Sequence, residues 1–152
     1  MKKTVLVAAL LCSSLYSFAQ QISDNAVDTV GGKVRVAGND YEKQLFIGTK
    51  PIPKIGPTDH VKIEKKYTVG GKDVLLVSNQ CGGSGCAIVG WNFVTVAPGG
   101  AVVVSQEMFG ADGQKPVITV TNDKITIKLV EFEGRKTKTT TWTYENGAVK
   151  KG

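Results

Sequence analysis

The sequence predicts an all-β fold: a single antiparallel domain, a sandwich or a flattened barrel of about eight strands, after a cleaved signal peptide. Three observations support this prediction. Apolar and polar residues alternate along much of the chain, as they do in strands that bury one face. Turn-forming Gly, Asn and Pro residues separate these runs. Apart from a possible short turn near residues 23–30, no run keeps apolar residues at helical spacing over three turns.

The first nineteen residues have the organisation of an export signal. A basic start with two lysines precedes an apolar core at residues 4–11. Ser17 and Ala19 then supply the small residues that signal peptidase requires before the cleavage site. The apolar core is too short to span a bilayer. We therefore predict that residues 20–152 form one periplasmic or secreted β domain without a transmembrane segment.

The charge pattern argues against nucleic acid as a partner. Cleavage removes two of the 19 basic residues and leaves 17 against 13 acidic residues, a net charge of +4. The charges are mixed, as where Glu64 lies among Lys62, Lys65 and Lys66. Proteins that bind nucleic acid usually gather basic residues into a stripe with stacking aromatics. We expect no nucleic-acid partner.

In the N-terminal part of the domain, the residue pattern predicts a hairpin followed by a crossover. Val34 and Val36 alternate with charged residues, which indicates a strand with one buried face. Residues 50–57 contain three prolines, which cannot donate backbone hydrogen bonds inside a sheet. We interpret this segment as an extended crossover that leads to an antiparallel meander from about residue 60 onward.

The meander contains strands of two kinds. Residues 61–69 and 140–144 have the alternation of strands that bury one face. Residues 74–77 and 87–96 are apolar at both odd and even positions, which point to opposite faces of a strand. We therefore place these strands centrally, with both faces buried. The apolar phase changes at residues 129–130, which predicts a β-bulge. Residues suited to tight turns link the strands: Gly70-Gly71, Pro98-Gly99-Gly100, Asn122-Asp123 and Asn146-Gly147.

Cleavage leaves two cysteines, Cys81 and Cys86. In an oxidising compartment, two thiols separated by four residues most economically form one disulfide. A ring of this size constrains the unfolded chain by about 2 kcal/mol in the loop-entropy description. The predicted bond is a local staple and not the main source of stability.

The segment between the cysteines is the most unusual in the chain, and two interpretations of it remain open. It can be a disulfide-pinned turn whose glycines satisfy demanding φ angles. It can also be a pre-ordered loop that presents backbone N–H groups and the Ser84 hydroxyl to a partner. On the second interpretation the candidate binding residues are Gly82, Gly83, Ser84 and Gly85, together with Trp91 on the following strand.

Residues suited to catalysis or metal binding are sparse. The Gly-rich segment matches neither a nucleophile elbow nor a P-loop. His60 is the only histidine, and its position at a strand start indicates a surface residue. Glu131 and Glu133 share one strand face, a pattern typical of a solvated strand end. We predict no catalytic residues, no metal and no cofactor.

Several large apolar residues have alternative interpretations. Trp91, Phe93 and Trp142 fit ordinary core packing, but in a ligand-binding barrel they would line the cavity. Met108 and Phe109 lie in a turn-rich stretch, where we favour packing back onto the core over an exposed contact patch.

Segments at residues 73–78, 81–86 and 104–110 resemble small exported bacterial β proteins that carry a Gly-Gly-Ser-x-Cys segment. The resemblance covers about residues 60–150. In that group a later Phe-Gly-x-Cys turn supplies a second cysteine, whereas this chain has Ala111-Asp112 there. The resemblance implies that Cys81 takes the place of that partner. It also implies an exported β fold, but no activity.

These observations favour an exported, non-enzymatic periplasmic binding protein. We expect it to act on another protein through the disulfide-stapled loop, for example as an inhibitor or immunity-type factor. The alternative is a small-molecule or glycan-binding β-barrel, and a third hypothesis is a carboxylate-dependent hydrolase.

Overall fold

The computed structural model describes residues 25–55, 58–80, 89–105, 109, 115–121, 123–133 and 135–152. The described residues form twelve β-strands and no helix, which confirms the all-β prediction. The strand number exceeds the expected eight because several strands have only two to four residues. The short turn suggested near residues 23–30 is wrong for Ala26–Thr29, which form a strand. The predicted signal peptide lies outside the described residues.

The strands form three antiparallel sheets of four strands each. The N-terminal sheet contains β1 (Ala26–Thr29), β2 (Gly32–Gly38), β3 (Lys43–Ile47) and β4 (Lys50–Pro51). The central sheet contains β5 (His60–Val69), β6 (Lys72–Gln80), β7 (Val89–Val96) and β8 (Val102–Val104). The C-terminal sheet contains β9 (Val117–Val120), β10 (Ile125–Glu133), β11 (Lys136–Glu145) and β12 (Ala148–Lys151).

Each sheet is a meander in which consecutive strands are hydrogen-bonded neighbours. The single meander predicted from residue 60 is therefore divided into two sheets, with the break between β8 and β9. No sheet among the described strands closes on itself, so the flattened-barrel alternative is wrong. The proline-rich segment also departs from expectation, because Lys50–Pro51 pair with β3 at the sheet edge. An edge position tolerates a proline since one side of the strand needs no donor.

Two hydrophobic cores lie on opposite faces of the central sheet. The N-terminal core joins it to the N-terminal sheet through Val27, Val34, Leu45, Ile52, Ile55, Val61, Ile63, Leu75, Val77, Val94 and Val96. The C-terminal core joins it to the C-terminal sheet through Val74, Leu76, Trp91, Phe93, Phe109, Ile125, Ile127, Leu129 and Tyr144. Alternate residues of β6 and β7 enter opposite cores, which confirms burial of both faces at residues 74–77 and 91–96.

A β-bulge in β5 moves its apolar residues from one core to the other. Ile63 pairs with Val77, but Lys65 pairs with the next residue, Leu76, so one additional residue lies on β5. Because a strand alternates its faces, this single insertion reverses the orientation of every later side chain. Residues 61 and 63 accordingly pack in the N-terminal core, whereas residues 67 and 69 pack against the C-terminal core.

The bulge predicted at residues 129–130 is wrong. β10 and β11 keep one continuous register from Ile125 opposite Tyr144 to Glu133 opposite Lys136. Val130 is 42% exposed and simply faces solvent. Glu131 lies on the same face of β10 as Leu129. Side-chain hydrogen bonds accommodate this polar residue, so no register shift is needed.

The predicted hairpin turns are present where the structure describes them. Gly70 and Gly71 both have positive φ angles, 56° and 72°, between β5 and β6. Asn146 and Gly147 have φ angles of 51° and 87° between β11 and β12. Two consecutive positive φ values match the two-residue turn that follows the right-handed twist of antiparallel strands.

Candidate functional site

The predicted binding loop is attached to the central hairpin. β6 ends at Gln80, β7 begins at Val89, and these two residues are paired in the register. The segment between them contains the six loop residues of the sequence prediction: Cys81, Gly82, Gly83, Ser84, Gly85 and Cys86. This segment lies outside the described residues, so the disulfide and the loop contacts stay predictions. Its two ends are fixed one strand spacing apart on strands whose side chains enter both cores.

Polar contacts tie this end of the central sheet to the N-terminal sheet. Thr58 exchanges two backbone hydrogen bonds with Lys43, at 2.7 and 3.0 Å. The Thr58 hydroxyl also donates to the Asn79 side-chain oxygen at 3.0 Å. Asn79 directly precedes the last residue of β6, so Thr58 supports the base of the predicted loop from the segment before β5.

His60 lies at the same end of the sheet, opposite Gln80 in the register. It is half-buried at the start of β5. Among the described residues, no group of three His, Cys, Asp or Glu side chains has the arrangement of a metal site. The sequence placed His60 at a strand start but gave no indication that it would neighbour the base of the predicted loop.

Trp91 packs inside the C-terminal core and is only 4% exposed. Its backbone forms two hydrogen bonds with Phe109, both 2.9 Å. Phe109 is 1% exposed and stacks on Phe93 with ring centroids 5.1 Å apart. This confirms that Phe109 packs onto the core, whereas Met108 lies outside the described residues. The prediction that Trp91 itself offers a binding surface finds no support in this buried position.

The indole N–H groups of both tryptophans are buried without a hydrogen-bond acceptor among the described residues. A buried donor without an acceptor lowers stability by about 1–3 kcal/mol. Trp142 nevertheless has one favourable polar contact, since the Lys151 ammonium lies 5.2 Å from the centre of its ring. Both rings therefore belong to the packing of the C-terminal sheet and its core.

The structure contains a pocket of about 310 Å³ beside the C-terminal core. Its walls include Val69, Val74 and Val103, together with Thr95 and Tyr144. The cavity hypothesis expects a tryptophan in the wall, whereas the aromatic residue among the described residues that line this pocket is Tyr144. The sequence marked Tyr144 only as part of a β-prone face.

Of the two carboxylates considered for hydrolysis, Glu131 has described contacts. The Glu131 carboxylate accepts hydrogen bonds from the Thr140 hydroxyl and from Lys151, the latter at 3.0 Å. The hydrogen bond from Thr140, followed by that from Lys151, lowers the pKa of Glu131 below its usual value. A lowered pKa favours the ionised form of Glu131, which suits its ion pair with Lys151. Nothing is described for the side chain of Glu133.

Within the part of the chain that is described, no helix has the length and apolar character needed to cross a membrane. Neither a protein-family model, a curated protein nor a solved structure matches this chain. The residues and geometry of the chain itself therefore carry the proposals below.

Proposed function

We propose that this chain is an exported, non-enzymatic binding protein that acts on another protein through residues 81–86. In this proposal the protein acts as an inhibitor or an immunity-type factor. The observation that carries the proposal is the position of this segment on the β6–β7 hairpin, where Gln80 and Val89 are paired.

A hairpin buried on both faces is a firm support for a binding loop. Alternate residues of β6 and β7 enter the N-terminal and C-terminal cores, so neither strand can shift without disturbing both. Binding requires that flexible groups become ordered, and a pre-ordered loop reduces this loss of entropy. The predicted Cys81–Cys86 disulfide would add to the effect because it shortens the flexible part of the segment.

The composition of the segment fits recognition of a protein surface. Three glycines leave backbone N–H and C=O groups accessible to a partner, and Ser84 adds a hydroxyl that both donates and accepts hydrogen bonds. Thr58, whose backbone pairs with Lys43 of the N-terminal sheet, supports the base of the loop through its contact with Asn79. This combination favours a rigid presenting loop over an enzyme active site.

Two measurements test the proposal. Mass spectrometry of natively purified protein should find an N-terminus at Gln20 and a linked Cys81–Cys86 pair. A pull-down from periplasmic extract should recover a specific partner with the wild type and lose it with Ser84→Arg. Ala101→Arg is the matched control, because Ala101 is exposed in the turn at the opposite end of β7. Equal partner recovery by the wild type and Ser84→Arg would contradict the proposal.

A further inference from the structure

The pocket beside the C-terminal core is built from three chain reversals. Gly70 belongs to the β5–β6 turn, Asp123 to the β9–β10 connection, and Asn146 and Gly147 to the β11–β12 turn. At Gly147 the φ angle is +87°, and a Cβ atom would lie 2.9 Å from Val103 Cγ1. Only glycine allows this turn to approach β8 so closely, so the pocket depends on a specific backbone geometry.

The inner part of the pocket combines apolar walls with one polar pair. Val69, Val74 and Val103 supply the apolar surface. The hydroxyl groups of Thr95 and Tyr144 are hydrogen-bonded to each other across the two sheets.

Charged groups of both signs surround this apolar interior. Lys72, Asp123 and Glu145 line the pocket and are exposed. Within the described chain none of the three forms an ion pair or a side-chain hydrogen bond, although they line one pocket. Other carboxylates in the described chain, such as Asp73 and Glu131, do pair with lysine.

We propose that this pocket binds a small zwitterion with an apolar side chain, the chemical class of the free aliphatic amino acids. The carboxylate of the ligand would lie at Lys72 and its ammonium group at Asp123 and Glu145, while its side chain packs against Val69 and Val103. A ligand with both charges satisfies both sides of the pocket, whereas an anion or a cation leaves one side unmatched. A volume of about 310 Å³ suits a ligand of this size.

The proposal does not depend on the loop at residues 81–86. The pocket lies where β6 begins, at Lys72, whereas the loop follows the other end of β6, at Gln80. A Ser84→Arg variant that loses its protein partner should therefore still bind the amino acid. Failure of either proposal leaves the other standing.

L-Leucine is a suitable probe, titrated to about 20 mM while the amide NMR spectrum is recorded. We expect shifts at Gly70, Lys72 and Gly147. N-Acetyl-L-leucine, which lacks the ammonium group, and L-leucinamide, which lacks the carboxylate, should each bind at least about fivefold more weakly. Absence of shifts, or equal binding of all three compounds, would overturn the proposal.

Variants assign each charge to its partner. Lys72→Gln should weaken the binding of L-leucine about fivefold. It should leave the binding of L-leucinamide unchanged, because leucinamide has no carboxylate that could interact with Lys72. Glu145→Gln should weaken L-leucine and leave N-acetyl-L-leucine unchanged. Lys33→Gln is the matched control, since Lys33 is exposed on β2 of the N-terminal sheet. If Lys72→Gln and Glu145→Gln both bound L-leucine as tightly as the wild type does, the assignment of the charges would be contradicted.

A variant that fills the pocket separates this site from weak binding elsewhere. Val103 is 51% exposed, so Val103→Trp can occupy the pocket without disrupting the core. It should abolish the leucine-induced shifts while the remaining amide spectrum keeps its dispersion. Leucine-induced shifts that persist in the folded Val103→Trp variant would show that the ligand binds at another place.

Discussion

The buried carboxylate of Asp73 joins the N-terminal sheet to the central sheet, and its removal tests how this junction is stabilised. Asp73 is 3% exposed. It accepts a hydrogen bond from the Val30 backbone N–H at 2.8 Å and another from the Thr68 hydroxyl at 3.0 Å. The Lys66 ammonium lies 3.7 Å from the same carboxylate and also donates to the Asp28 carbonyl oxygen at 2.9 Å.

We expect Asp73→Ala to lower the free energy of unfolding by about 3 kcal/mol. A hydrogen bond to a charged group contributes about 1.5–3 kcal/mol, and a buried donor that loses its acceptor retains the cost of its lost hydration. Loss of one member of a buried ion pair costs about 3–5 kcal/mol. The lower end applies here, because the hydroxyl of Thr68 can turn to another acceptor and Lys66 keeps its bond to Asp28.

Asp73→Asn keeps the shape of the side chain but removes its negative charge. The amide oxygen can still accept from Val30, and its NH₂ group can donate to the Thr68 hydroxyl, which then acts as the acceptor. Only the attraction to Lys66 is lost, so we expect a reduction of about 1–2 kcal/mol, smaller than that of Asp73→Ala.

Urea denaturation followed by tryptophan fluorescence measures these differences. Asp40→Asn is the control for a change of charge alone, because Asp40 is exposed, and it should alter stability by less than about 0.5 kcal/mol. If Asp73→Ala unfolded at the same urea concentration as the control, the carboxylate would contribute nothing to the junction. An order in which the Asn variant is less stable than the Ala variant would refute the hydrogen-bond assignment.

Three further predictions concern the turns and the titratable groups. Gly147→Ala should lower the free energy of unfolding by about 2 kcal/mol, more than Gly48→Ala, because only the added methyl at Gly147 meets another side chain, that of Val103; equal losses in urea denaturation would contradict this. Burial raises the pKa of Tyr67 to about 12, so the folded state loses stability between about pH 10 and 12 as only the unfolded chain ionises. Tyr67→Phe should therefore lose less stability than wild type between neutral pH and about pH 11, which unfolding at both values will measure. The lowered pKa of Glu131 stabilises the fold above the ordinary glutamate pKa of about 4.3, and this contribution declines as the pH falls below it. In thermal melts Glu131→Gln should therefore be less stable than wild type at pH 7, and the difference should shrink as the pH is lowered below about 4.3.

The alternation of residue types determined the local structure. Residues 74–77 are apolar on both parities, and this alone placed them in a strand buried on both faces, as the two cores confirm. The turns at Gly70-Gly71 and Asn146-Gly147 followed from the few residue types that adopt positive φ. Such properties depend on each residue and its immediate neighbours, so the sequence displays them directly.

The position of the bulge and the grouping of the strands were decided by tertiary contacts. A residue pattern shows that a face is buried, but not which sheet covers it. The apolar run of β5 changes cores at Glu64, and no local signal separated this true bulge from the false one expected at residues 129–130. The break between β8 and β9 likewise depends on how the second and third sheets pack, not on either strand alone.

The sites show the same division. The Gly-rich segment at residues 81–86 and its two cysteines are visible in the sequence because they are contiguous. The Asp73 junction and the pocket at Thr95 and Tyr144 are not visible there, because Asp73 contacts a residue 43 positions away and Thr95 contacts one 49 positions away. The conformation and the buried faces of one strand follow from its own residues. A junction or a pocket forms only when separate strands pack together.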